Sequence, residues 1–89
     1  MSDYKDKKYT FLLDVPLQEE TAAEGFVYVC YEDHKAELRC PCGCGDLITL
    51  NIYPYLKPTW KVTRNSITPS INRKVGCKSH FTITNGITH

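Results

Sequence analysis

The sequence predicts a small, nearly all-β domain, an antiparallel and zinc-ribbon-like sheet held together by one metal site between two loops. Short runs of β-branched and aromatic residues are separated by turn residues, and helical periodicity is almost absent. A chain of 89 residues buries only about 60% of its unfolded surface, so a metal is a common supplement to its core. Cysteine and histidine then cluster at two separate points of the chain, as small metal domains require.

The strand predictions follow from alternation and from the residues that interrupt it. Pro16 ends the first strand, and Asn85-Gly86 is a two-residue hairpin turn before the last one. Pro69 limits residues 67–71 to an edge strand or a loop. Besides residues 67–71, strands are predicted at residues 9–15, 26–31, 36–39, 48–53, 60–63, 81–84 and 87–89.

Two segments lie outside this strand pattern. Residues 1–8 are charged and aperiodic, which predicts a flexible tail before a single metal-stabilised domain at 9–89. Residues 17–24 are the only helical candidate and could form two turns before Gly25. A loop is an alternative there, because isolated helices of this length are marginal.

The metal site is predicted from the segments CPCGCG at 40–45 and CKSH at 77–80. Thiolate and imidazole are the preferred ligands of zinc, and glycines allow the first loop to turn tightly around its thiols. Four ligands are needed and five are available, so the set remains open. The candidates are Cys40, Cys42, Cys44, Cys77 and His80.

Zinc is the expected metal for three thiolates and one imidazole in tetrahedral geometry. A [2Fe–2S] cluster is the alternative, because Cys40-x-Cys42 together with Cys77-x-x-His80 copies the loop spacing of Rieske centres. Cys42 then stands where such centres have a histidine. Four soft ligands leave no open coordination position for catalysis, and we find no Ser/His/Asp set. The sequence therefore predicts a protein that is not an enzyme.

Charge and cysteine content indicate the compartment and the class of partner of the protein. The five cysteines are an odd number, and no signal peptide or membrane span is visible, which favours a reducing, cytoplasmic compartment. All ten acidic residues lie at or before Asp46, and the charged residues that follow it are all basic. Such asymmetry can mark a nucleic-acid-binding face. Interleaved strands, or the negative charge of the metal site, would also account for it.

Several motifs together resemble a family of small bacterial and phage metal-binding proteins. They are the CPCGCG loop, Trp60, the segment ITPSI at 67–71, the C-x-x-H-F ending at 77–81 and Asn85-Gly86. The resemblance covers roughly residues 36–89. It implies that Thr68, Ser70 and the Trp60 ring support the metal ligands.

Some members of that family are encoded beside ubiquitin-like proteins and their conjugation enzymes. The resemblance thereby implies an accessory or adaptor role. The expected function is a non-enzymatic zinc-binding domain that binds a protein partner. A Rieske-like electron carrier and a small nucleic-acid-binding zinc module are the alternatives.

Overall fold

The computed structural model of the chain describes residues 5–72 and 80–89. These residues form eight short strands and one single-turn 3-10 helix, Glu19–Thr21, which confirms the nearly all-β prediction. No helix in the described ranges is long and apolar enough to cross a membrane. The strands are β1 (Thr10–Leu13), β2 (Phe26–Cys30), β3 (Lys35–Arg39), β4 (Leu47–Asn51), β5 (Lys61–Val62), β6 (Ile67–Asn72), β7 (His80–Thr84) and β8 (Ile87–Thr88).

The strands form two four-stranded sheets, and each sheet is built from one continuous part of the sequence. The first has the order β1-β2-β3-β4 and the second the order β5-β6-β7-β8. Neighbouring strands are antiparallel except β1 and β2, which are parallel. A parallel pair needs a crossover rather than a hairpin, and residues 14–25 provide it.

This crossover packs on the outer face of the first sheet instead of forming the two-turn helix considered for residues 17–24. The carboxylate of Glu37, which is 1% exposed, accepts the backbone N–H of Gln18 and, at 2.9 Å, that of Glu19. The Tyr28 hydroxyl accepts the Ala23 N–H at 3.0 Å. The two Glu37 bonds satisfy N–H groups at the start of the turn, which have no partner within a helix. Helical hydrogen bonding stops after one turn because Ala22 is extended and the Ala23 N–H bonds to Tyr28 instead of to a helical carbonyl.

The core lies between the two sheets and draws on both. Alternate residues point inward along β2, β3 and β4, and their side chains meet those of β6 and β7. Cys40 continues the inward alternation of β3 and is 1% exposed, so the thiol loop begins inside the core. The buried cluster comprises Tyr9, Val27, Val29, Ala36, Leu38, Cys40, Ile48, Leu50, Ile67, Ile71, Phe81 and Ile83.

Strand β6 is not the edge strand or loop that Pro69 predicted, because it lies inside the second sheet between β5 and β7. Its register with β7 shifts between Ile67 and Ile71. Four steps along β6, from Ile67 to Ile71, face two steps along β7, from Phe81 to Ile83. The extra residues form a bulge that contains Pro69, where the regular ladder, and with it the need for a proline N–H, is interrupted.

The N-terminal segment meets the last strand. The Asp6 N–H donates to the Thr88 carbonyl at 2.9 Å, and the Lys7 N–H donates to the Thr88 hydroxyl at 2.8 Å. Lys8 forms an isolated antiparallel bridge with Ile87. Backbone pairing therefore begins within the predicted tail at 1–8, while the mobility of that tail and the domain bounds 9–89 stay predictions.

Candidate active site and metal centre

The thiol loop follows β3 and folds back on itself. The Cys40 N–H donates to the Asp46 carbonyl at 2.9 Å, and the Gly43 N–H donates to the Cys40 carbonyl at 3.2 Å. Gly43 and Gly45 adopt φ values of +89° and +86°, a left-handed conformation that residues with a Cβ rarely adopt. The glycines thus allow the chain to turn twice within six residues and to bring its thiols together.

The three thiols of the loop form one group. The Sγ atoms of Cys40, Cys42 and Cys44 all lie within 4.8 Å of one another, and the first two are 3.3 Å apart. Three thiols at this spacing fit a tetrahedral zinc or an iron–sulfur centre, both of which prefer sulfur ligands. This cluster can hold a metal ion, whose identity the geometry leaves open. The predicted ligand Cys77 lies outside the described residues.

Tyr9 packs beside the thiols and links them to the first sheet. Its hydroxyl donates to the Arg39 carbonyl at 2.5 Å. Burial raises the pKa of the Tyr9 phenol above its ordinary value, and the negative charges of Cys40, Glu24 and Cys42 act in the same direction. The phenol therefore keeps its proton and remains a hydrogen-bond donor beside the thiol loop.

A second chemical group lies on the outer face of the second sheet. His80 Nε2 and Ser70 Oγ are 2.8 Å apart, which is hydrogen-bonding distance. His80 is exposed and Ser70 is half-buried, so solvent and a substrate can reach the pair. A serine hydroxyl bonded to an imidazole nitrogen is the arrangement that activates a serine as a nucleophile.

The strand register explains how residues ten positions apart come together. Ile71 faces Phe81 and Asn72 faces His80, so the outward side chains of Ser70 and His80 are diagonal neighbours. Diagonal neighbours in antiparallel strands lie within reach of long side chains. Ser70 also ends the bulge in β6, and bulges commonly redirect a side chain next to an active site.

Trp60 supports the backbone of Ser70. Its indole Nε1–H donates to the Ser70 carbonyl at 3.3 Å, while its own backbone N–H donates to the Asn51 carbonyl at 2.9 Å. Trp60 therefore connects the end of β4 to the bulge of β6. Its ring is partly buried against the core, and the support of the metal ligands that the resemblance implies for Trp60 stays a prediction.

A cavity of about 310 Å³ adjoins this support. It is lined by residues of β4 and of the end of β6 together with Trp60. Asn72, the residue opposite His80 in the register, forms part of its wall. The lining residues are Leu47, Ile48, Thr49, Leu50, Trp60, Ile71 and Asn72.

A comparison with protein families identifies the class of the chain. The family model described as "Bacterial ubiquitination-like system serine protease (BubE)" matches residues 14–89. The chain belongs to this family. Neither the comparison with curated proteins nor that with solved structures gave a match.

Membership in the BubE family corrects the prediction that the protein is not an enzyme. The family is named as a serine protease, and this name points to enzymatic activity. That prediction rests on four soft ligands, which close a metal site, and on the lack of a Ser/His/Asp set in the sequence pattern. A serine protease needs no open metal position, so a closed metal site does not exclude it.

The association with bacterial ubiquitin-like conjugation, by contrast, is confirmed at the level of the family.

The Ser70–His80 pair is not among the sequence predictions, because the C-x-x-H spacing makes His80 a metal-ligand candidate and the resemblance makes Ser70 a support for the metal. In the structure the His80 ring bonds to Ser70, and His80 is not a member of the three-thiol group. The available signal was strand pairing. With residues 67–72 read as a strand antiparallel to 80–84, the two side chains fall on one face.

Proposed function

We propose that this chain is a serine peptidase of a bacterial ubiquitination-like system, with Ser70 as nucleophile and His80 as general base. The observation that carries the proposal is the 2.8 Å contact between Ser70 Oγ and His80 Nε2 on an accessible strand face. The name of the matching family supports the same reaction class. Such a pair supports acyl transfer without a metal in the reaction.

The reaction follows from the geometry of the pair. Ser70 Oγ attacks the scissile carbonyl carbon while His80 Nε2 takes the hydroxyl proton. The resulting tetrahedral intermediate collapses as the C–N bond breaks, and the imidazolium returns the proton to the leaving amine. A water molecule then attacks the acyl-enzyme, again through His80, which releases the carboxylic acid and restores the Ser70 hydroxyl.

The substrate class follows from the family rather than from a visible pocket for a small molecule. A protease of a ubiquitination-like system acts on a protein, so a protein partner is part of the proposal. The half-buried hydroxyl of Ser70 on a strand face suits an extended, accessible segment of such a partner.

We assign the thiol loop a structural role, as a zinc site formed by Cys40, Cys42 and Cys44, with Cys77 as the fourth ligand predicted from the sequence. The loop starts inside the core, so a bound zinc would fix the end of β3. Elemental analysis of freshly purified protein tests this assignment. One zinc per chain is the expected result, whereas iron with a brown colour would replace it by an iron–sulfur cluster.

An active-site-directed fluorophosphonate probe tests the proposed reaction. The probe forms a P–O bond with an activated serine and releases fluoride, while the base takes the hydroxyl proton. We expect labelling of the wild-type protein and none of Ser70→Ala. Ser66→Ala is the matched control, because Ser66 is in the same part of the chain but bonds to a turn through Asn65 and Asn85. Equal labelling of wild type and Ser70→Ala would reject the proposal.

A further inference from the structure

We propose that the Asn72 side chain is the oxyanion donor of this site, so that its Nδ2–H binds the carbonyl oxygen of the substrate as negative charge develops. The inference rests on the proposed function and adds a third catalytic residue to it. Acyl transfer places negative charge on that oxygen, and a preoriented N–H group is the usual means of stabilising it.

The position of Asn72 is set by the strands. Ile71 and Phe81 point into the core, so Ser70, Asn72 and His80 point to the opposite, outer face. Asn72 directly faces His80, and Ser70 is two residues before it on the same strand. The amide is therefore a neighbour of both the nucleophile and the base.

The spacing suits a carbonyl group between Ser70 and Asn72. Residues two apart on a strand are separated by roughly 6.6 Å along it. The hydroxyl and the amide both extend from that strand on one side, which leaves room for one carbonyl between their ends. An oxygen bound there would lie within reach of Nδ2 while its carbon faces Ser70 Oγ.

The amide of Asn72 is also available for such a bond. Among the described residues, its side chain makes no hydrogen bond, and it is exposed. Asn72 is also one of the residues that line the cavity of about 310 Å³ between β4 and β6. Asn51 differs, because its amide Nδ2 already donates to the Leu56 and Pro58 carbonyls.

Charge favours an amide over the alternatives at this position. The chain has no acidic residue after Asp46, so the sequence of the second sheet introduces no carboxylate beside the developing negative charge. An asparagine offers two N–H groups and carries no charge of its own. It can therefore bind the oxyanion without competing with His80 for the proton of Ser70.

The test compares fluorophosphonate labelling rates of Asn72→Ala, Asn72→Asp and the control Thr84→Ala. Labelling also develops negative charge, on the phosphoryl oxygen. We expect both Asn72 variants to react roughly 100-fold more slowly, with unfolding temperatures close to wild type. Thr84→Ala, an exposed change on β7 away from the pair, should react at the wild-type rate.

The outcomes separate this inference from the proposed function. Labelling of Ser70 at an unchanged rate in both Asn72 variants would overturn the oxyanion role and leave the nucleophile in place. Absence of labelling at Ser70 in the wild-type protein would overturn both. If Asn72→Ala fails to fold, Asn72→Asp, which keeps the shape of the side chain and loses the N–H donor, decides the matter. Partial recovery in Asn72→Gln would support the donor role.

Discussion

The thiol loop and the Ser70–His80 pair differ in burial, in charge environment and in the sheet that carries them. The loop extends from the first sheet and starts at a cysteine that is 1% exposed. The pair lies on the second sheet, with an exposed imidazole and a half-buried hydroxyl. Buried sulfur suits a structural metal, whereas an accessible hydroxyl next to a base suits a reaction.

The same division appears in the sequence. The first sheet spans residues 10–51, and its strands β1 to β3 come from the acidic part of the chain, while β4 follows the last acidic residue, Asp46. The second sheet spans residues 61–88, where no acidic residue occurs, so β4 is the strand of the acid-free part that pairs with a strand of the acidic part. In the proposed roles, the stabilising chemistry of this small domain lies on the first sheet and the reactive chemistry on the second. Changes in each region should therefore have different readouts.

The largest effect is expected for His80→Gln. Loss of the base should lower fluorophosphonate labelling by at least about 10⁴-fold, because the hydroxyl of Ser70 then has no proton acceptor. Metal content should stay at the wild-type level, and mass spectrometry with elemental analysis measures both.

His89→Gln is the control for this change, since His89 is exposed and bonds to Thr82 through backbone atoms alone. Loss of the metal together with the fold in His80→Gln would instead make His80 a ligand, as the sequence predicts. His80 would then belong to the metal site, and the two regions would not be chemically separate.

Removal of a ligand should come next. We expect Cys40→Ser to lose the metal and to lower the free energy of unfolding by about 4 kcal/mol or more, because metal binding and folding are coupled in domains of this size. Circular dichroism during heating, with and without a chelator, measures the loss.

Cys30→Ala provides the matched control for Cys40→Ser. Cys30 is buried in β2 and does not belong to the three-thiol group. This variant should keep the metal and lose only the packing of one small side chain. Retention of the native spectrum by Cys40→Ser after complete metal removal would contradict the structural role of the loop.

A smaller effect, confined to stability, is expected for Glu37→Ala. The variant leaves the Gln18 and Glu19 N–H groups without their acceptor, which costs about 2 kcal/mol in the free energy of unfolding. Urea denaturation measures this cost, and the exposed Glu20→Ala is the control. The labelling rate of the folded protein should not change. A slower rate at full folding would show that the first sheet contributes to the reaction.

The smallest effect is expected for Trp60→Phe. The change keeps an aromatic ring but removes the N–H that holds the Ser70 carbonyl, so labelling should slow by about three- to tenfold. The unfolding temperature should shift little, since the ring continues to pack on the core. Tyr53→Phe is the control. An equal fall in both variants would show that Trp60 acts through packing rather than through Ser70.

The sequence predicted more of the framework than of the reaction. Alternation located every strand within a few residues, and thiol spacing located the three-cysteine group. Pro69 misled the assignment of β6, because a bulge accommodates a proline inside a sheet where a regular strand would not. The helix considered for 17–24 stops after one turn, where the Ala23 N–H bonds to the Tyr28 hydroxyl, and such a tertiary contact has no local sequence signal.

The reactive pair escaped prediction for a related reason. Ser70 and His80 are ten residues apart in the sequence and become neighbours through the antiparallel pairing of β6 with β7, which places His80 opposite Asn72 and diagonal to Ser70. In the sequence, His80 follows Cys77 by three residues, a spacing typical of metal ligands, so its pattern indicates a ligand at least as well as it indicates a general base. Residue types alone therefore could not separate the two roles, and the hydrogen bond to Ser70 supports the proposed role as a base, while the ligand role stays a prediction.

Mapping the modified residue tests the division between the two regions most directly. Folded, metal-loaded protein is treated with the fluorophosphonate probe, digested and sequenced by tandem mass spectrometry. The account predicts one adduct, on Ser70 Oγ, with the metal still bound after the reaction. An adduct on Ser66 or another residue, or no adduct in the folded protein, would contradict it.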